Sequence, residues 1–195
     1  MKKSIFVFCL LLFASAFAKE ITVSVGAGKN WKHKMNPQFA VWLEDSEGVF
    51  VRTLYVTNRA AKKNWIFGPK GGRPESLPVW YGCNEKSEAF DAVTSATPKG
   101  GVIFKSVLED DKEYFIKAEF NNSFDYNEKY TKKNSGVNGQ PSVVYGAKLQ
   151  SDFNGEVKLD FLGTGSENAS DSNIHKAEGL STAQSIVQCI AVICE

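Results

Sequence analysis

Apolar and β-branched residues recur along this chain in short runs, mostly with the period of two that a half-buried strand requires. Such runs cover Ile21 to Val25, Phe39 to Glu44, Val49 to Val56, Gly101 to Val107, Tyr114 to Asn121, Ser142 to Leu149, Gly155 to Leu162 and Ser185 to Ile193. Clusters of Gly, Pro, Asn and Asp separate them. Short strands at this spacing predict an all-β fold, an immunoglobulin-like antiparallel β-sandwich. The sharpest local signal is a hairpin: Ala40 to Asp45 and Val49 to Leu54 flank the acidic, glycine-containing tip Ser46-Glu47-Gly48.

The stretch from Thr57 to Ala96 breaks the alternation. Arg59 to Trp65 reads as a short helix, and the Gly- and Pro-rich residues from Gly68 to Glu75 cannot extend it, because paired glycines and two prolines deny a helix both propensity and hydrogen bonds. Trp65, Phe67, Trp80 and Tyr81 give this long aromatic loop enough apolar area to pack onto a sheet. A second loop, Gly163 to Gly179, is polar and reads as mobile, with no chemistry implied.

The first residues add a location. Lys2 and Lys3, the apolar run Ile5 to Phe13 and Ala16-Phe17-Ala18 form a secretory signal, with cleavage expected after Ala18. The apolar run is shorter than the roughly 18 to 20 residues a membrane span needs, so a periplasmic or extracellular protein is expected, not membrane-spanning when mature. Residues 19–195 are then expected to form one domain. Lys2 and Lys3 account for two of the 23 basic residues, against 22 acidic ones. A chain so nearly neutral lacks the concentrated cationic surface that nucleic acid binding requires. Export also implies oxidising conditions, yet beyond the signal only Cys83, Cys189 and Cys194 remain. Cys189 and Cys194 lie five apart in one expected strand, on opposite faces. Cys83 is then either bridged to one of them or buried as a small hydrophobe.

No Gly-x-Ser-x-Gly elbow, Gly-rich phosphate loop or paired histidine is present, so an enzyme is not expected. His33 and His175 are too far apart in sequence to suggest a metal site. Asp125 and Asn127 are candidate calcium ligands or, more simply, residues that cap their own backbone in a turn. Glu44, Asp45 and Glu47 surround a hairpin tip and are expected to be solvated. Lys62 and Lys63, with Arg59 and Lys70 nearby, offer positive charge to a phosphate or an acidic partner, or a solvated face.

One segment carries more specific chemistry. Asp91-Ala92-Val93-Thr94-Ser95-Ala96-Thr97 resembles the acceptor motif on which exported bacterial flavoproteins carry FMN, joined through its phosphate to the final threonine. Asp91, Thr94, Ala96 and Thr97 match that pattern. Ser95 stands where glycine is usual, and Pro98 restricts Thr97 to an extended conformation. The resemblance implies covalent FMN on Thr97, Asp91 and Thr94 holding the loop by side-chain hydrogen bonds, and small residues Ser95 and Ala96 admitting an FMN transferase. Trp65, Trp80 and Tyr81 are candidates to stack on the flavin ring.

The wider chain resembles a bacterial periplasmic family, the domain of unknown function numbered 2271. The resemblance rests on Ala40 to Asp45 with Phe50 to Leu54, Arg73-Pro74-Glu75-Ser76-Leu77-Pro78-Val79-Trp80, Asp91 to Thr97, and Asn121-Asn122-Ser123-Phe124-Asp125-Tyr126-Asn127. That family's association with PepSY-type membrane proteins and an FMN transferase implies electron transfer in the periplasm. The alternative is a non-catalytic accessory module that binds a ligand or partner through its aromatic loop, without a covalent cofactor.

Overall fold

The computed structural model describes residues 18–32, 34–61, 73–84, 93–95, 99–109 and 111–194. The expected signal falls outside these residues except for Ala18, which opens the first strand. The strands are β1 (Ala18–Ala27), β2 (Gln38–Asp45), β3 (Phe50–Thr57), β4 (Val93–Ser95), β5 (Val102–Glu109), β6 (Tyr114–Asn121), β7 (Val143–Leu149), β8 (Gly155–Lys158), β9 (Asp160–Thr164) and β10 (Val187–Cys194). Short helices α1 (Asn58–Ala61), α2 (Pro78–Asn84) and α3 (Lys132–Ser135) lie in the connections. Of the helix expected over Arg59 to Trp65, α1 covers the beginning, and Lys62 onward lies outside the described residues.

Two sheets form the expected all-β sandwich, one in the order β5-β1-β10-β8 and the other β4-β3-β2-β6-β7-β9. Every neighbouring pair is antiparallel except β3 and β4, which run parallel. Alternation decides what lies between the sheets: Val23 and Val25 on β1, Phe39, Val41 and Leu43 on β2, and Ile116, Ala118 and Phe120 on β6 all enter one core. The rings of Phe39, Tyr55 and Phe120 stack through it, with centroids 5.0–5.1 Å from Phe39.

The unbroken apolar run of β2 has a separate cause. Ala40 and Trp42 point to the other face of the six-stranded sheet, where Leu77, Val79, Trp80 and Tyr81 cover them in a second core. A strand buried on both faces has no polar side to show. Glu44 shares that covered face and is itself buried, contrary to the expectation of solvation. It accepts from Trp42 Nε1 at 2.9 Å and pairs with Lys117 at 2.7 Å. The tip of the hairpin is as expected: Asp45 Oδ1 accepts from the backbone of Glu47 and Val49, both at 2.9 Å, and Gly48 takes φ +81°.

The run Gly155 to Leu162, expected as one strand, is two. β8 pairs with β10 in one sheet and β9 with β7 in the other. Between them Leu159 is buried and donates its N–H to Ile190 O at 3.0 Å, marking the corner where the chain changes sheets. A similar transfer occurs between β4 and β5. Just before β5, Gly101 takes φ +83°, and a Cβ there would lie 2.5 Å from Val25 O, so only glycine fits beside β1.

Cys189 is exposed and Cys194 buried on β10, both free thiols, so neither is bridged to Cys83 in α2. On the edge strand β5, Arg52 reaches across from β3 and donates to Ser106 Oγ at 3.2 Å and to Val107 O.

Candidate functional site

The acceptor-like segment enters the structure at the edge of the six-stranded sheet. Val56 pairs with Thr94 and Thr57 with Ser95 in the parallel register of β3 and β4. Ser95 therefore has extended backbone, which serine adopts without strain, and the positive φ that glycine would permit is not used. Asp91, Ala96, Thr97 and Trp65 lie outside the described residues, as do His33, Phe67, Lys62, Lys63 and Lys70.

The chain leaves β4 at the end of the sheet where Thr57, Gln38 and Asn121 lie in successive strands, and this end is built from buried polar groups. Thr57 Oγ1 donates to Gln38 Oε1 at 2.8 Å and accepts from the N–H of Phe39 at 3.3 Å. Arg73, at the start of the 3₁₀ turn Pro74–Ser76, is buried with its guanidinium shared among Glu75 Oε1 at 2.9 Å, Ser123 Oγ at 3.2 Å and Asn138 Oδ1. Asn138 Nδ2 in turn donates to Glu75 O at 2.7 Å. Two segments far apart in sequence, Arg73 to Trp80 and Asn121 to Asn127, are thus locked together by one cation. This explains why an arginine can be buried here: its charge is paired and its donors have acceptors.

Asp125 and Asn127 divide the roles expected of them. Asn127 caps its own turn, with Oδ1 accepting from Lys129 N at 3.0 Å and Tyr130 N at 2.8 Å. Asp125 instead fastens distant segments, since its carboxylate accepts from Thr182 Oγ1 at 2.6 Å and Asn30 Nδ2 at 3.0 Å. Among the described residues no group of three or more His, Cys, Asp or Glu side chains converges as metal ligands would.

Trp80 and Tyr81 sit in α2, which begins at Pro78, the residue best suited to a first helical position because its missing N–H has no partner to lose. Both rings are buried and edge-to-face, with centroids 4.9 Å apart. Trp80 Nε1 donates to Thr53 Oγ1 at 3.0 Å, and Tyr81 Oη donates to Ala60 O at 3.1 Å. Each ring is spent on the second core, so neither presents a free face to a flavin.

Under α2 lies Glu119, fully buried on β6 between Ala40 and Val144. Its carboxylate accepts from Trp80 N at 2.8 Å, Val79 N at 3.3 Å and Ser142 Oγ at 2.6 Å. Burial pushes its carboxyl up to about 7, against the opposing pull of the hydrogen bonds from Ser142, Trp80 and Val79. Sequence reading missed this residue because β6 alternates, and alternation assigns Glu119 to the solvent face. A signal was present in the apolar residues around Pro78, which need a sheet face to cover.

The loop expected to be mobile, Gly163 to Gly179, is tied down. Thr164 and His175 exchange backbone hydrogen bonds at 2.9 and 2.8 Å, and Gly82 of α2 packs so closely on Ser172 that a Cβ there would lie 2.1 Å from its Cβ. His175 Nε2 lies 2.8 Å from Asp171 Oδ1, and this hydrogen bond holds the Asp171 carboxyl below the usual range. The loop walls a cleft of about 260 Å³ facing Lys129 and Tyr130, with Pro141 and Gly165 also lining it.

No curated protein and no solved structure matches the chain significantly. A family model described as "Predicted periplasmic protein (DUF2271)" matches residues 18–129, a span that takes in the hairpin, Arg73, β4 and Glu119. On that match the chain belongs to the DUF2271 family of predicted periplasmic proteins.

Proposed function

We propose that this protein is an exported flavin carrier, with FMN joined through its phosphate to Thr97, passing electrons between a membrane redox protein of the PepSY type and another exported acceptor. The observation that carries this reading is the acceptor-like segment Asp91 to Thr97. Two findings support it. β4 holds Thr94 and Ser95 extended at a sheet edge, so the departure from glycine at position 95 introduces no strain there. The family is one of predicted periplasmic proteins, the compartment such a carrier needs.

The attachment is a phosphoryl transfer. With a flavin dinucleotide as donor, Thr97 Oγ would form the new P–O bond as the donor's phosphoanhydride bond breaks, the other half would leave as a nucleoside monophosphate, and the hydroxyl proton would pass to a base of the FMN transferase. When bound, FMN supplies the redox chemistry, and the protein supplies attachment and exposure. Trp80 and Tyr81 contribute rigidity rather than stacking, because both are buried in the second core.

The second reading, a non-catalytic binding module without a covalent cofactor, is favoured by one observation: the cleft between the Gly163 to Gly179 loop and Lys129. Intact mass decides between them. The chain exported with an FMN transferase is expected to gain one FMN less one water and turn yellow, and Thr97→Ala to stay unmodified and colourless. An unmodified wild-type mass, with a control acceptor modified in the same cells, overturns the flavin reading.

A further inference from the structure

Glu119 is a buried carboxylate with no counter-charge among the described residues. The charged groups on the elements around it are otherwise placed. On the same face of the sheet, Lys117 pairs with Glu44 on β2, and Lys148 on β7 pairs with Glu113. Arg73, at the turn before α2, pairs with Glu75. Arg59 lies on α1, and α2 itself carries no charged residue. The loop that packs on α2 brings Glu167, Asp171 and His175, of which the last two hold each other. Among the described residues no cation pairs with Glu119. What the carboxylate has instead is a hydroxyl, Ser142 Oγ, at 2.6 Å, together with two N–H groups of the helix above it. Gly165 packs closely on the pair: a Cβ there would lie 2.4 Å from Ser142 Oγ and 2.8 Å from Glu119 Oε1.

We propose that Glu119 and Ser142 form a proton-operated latch on α2: closure of the helix over the sheet takes up one proton, held between the two side chains, and release of that proton loosens the helix. The proton comes from solvent, and no electrons move. In the protonated state Glu119 donates to Ser142 Oγ, which turns from donor to acceptor, while the other carboxyl oxygen keeps the N–H of Trp80. In the ionised state, opening α2 lets water reach the carboxylate, so ionisation favours opening. The raised affinity of the buried carboxyl for its proton agrees with this direction. The latch goes beyond the flavin reading and does not depend on it.

The test is amide hydrogen exchange of the unmodified chain at pH 5 and pH 8, corrected for intrinsic exchange. Protection of Tyr81 and Gly82 in α2 is expected to fall on the order of fifty- to a hundredfold from pH 5 to pH 8, because each unit of pKa difference between closed and open states is a tenfold change in the closing equilibrium. Glu119→Gln, which keeps the acceptor for Trp80 N and a donor for Ser142, is expected to remove that pH dependence while leaving α2 protected. Equal protection at both pH values in the wild type overturns the proposal, as does an unchanged pH dependence in Glu119→Gln. Should that variant fail to fold, carbon-detected titration of the Glu119 carboxyl in the wild type decides, and a carboxyl already ionised at pH 5 overturns it.

Discussion

Trp80 Nε1 donates to Thr53 Oγ1 at 3.0 Å, so the largest ring of α2 is pinned to the strand beneath it by a hydrogen bond between two buried groups. Packing and polarity act at the same point, and substitutions separate them. Trp80→Phe keeps most of the ring and removes the donor, with an expected loss of about 1 kcal/mol. Trp80→Ala also empties the second core and is expected to cost about 3–5 kcal/mol. Urea unfolding of the two variants checks the difference, and equal losses would show that the ring contributes nothing beyond its N–H.

Glu119 makes global stability depend on pH. Its carboxyl rises from an ordinary 4.5 to about 7 on folding, so the folded state binds the proton more tightly. The stabilising contribution is fully present below about 4.5 and is lost as pH rises through 7. From pH 5 to pH 8 the unfolding free energy is expected to fall on the order of 2–3 kcal/mol. Asp171, whose carboxyl is held low by His175, acts in the opposite sense in more acidic solution, below this window. Chemical denaturation at the two pH values should show the fall in the wild type and a flat response in Glu119→Gln.

At the acceptor segment, extended backbone at Ser95 has a direct consequence for modification. Because the strand conformation does not call on glycine's freedom, Ser95→Gly is expected to leave the extent of FMN attachment at Thr97 within about twofold of wild type. Mass spectrometry of the exported protein measures both. A large gain in the glycine variant would mean that the transferase requires a backbone conformation other than the one β4 holds.

The thiols of β10 differ by their faces. Cys189 is exposed and Cys194 buried, five residues apart on one strand. Maleimide labelling of the native protein, followed by peptide mapping, is expected to modify Cys189 at least tenfold faster than Cys194, with the difference vanishing in denaturant. Comparable native rates at the two positions would contradict the burial of Cys194.

The strands were legible because their alternation serves one core, and the hairpin was legible because Asp45 and Gly48 are turn residues with a specific task. What escaped was decided by long-range contact. Leu159 continues an apolar run, and nothing local shows that the chain changes sheets there. Glu119 follows the polar phase of its strand, and only α2, arriving from elsewhere, turns that phase into an interior, while Glu44, beside a hairpin tip, is buried through its bonds to Trp42 and Lys117. Trp80 and Tyr81 announced apolar area without saying which surface would use it. The residues of the acceptor-like segment suggest a chemistry, whereas the place of Val93 to Ser95 beside β3 at a sheet edge depended on the parallel pairing of β3 with β4.

Arg52 has a role that reaches beyond one molecule. β5 is an edge strand carrying Ile103 and Val107, which are 72% and 47% exposed, and such a strand is a template on which a second chain can add and a filament can grow. By donating to Val107 O, Arg52 sets a positive charge beside the apolar edge. The same side chain that bridges the two sheets within the sandwich thus also marks the strand edge with charge, the kind of feature that discourages edge-to-edge association.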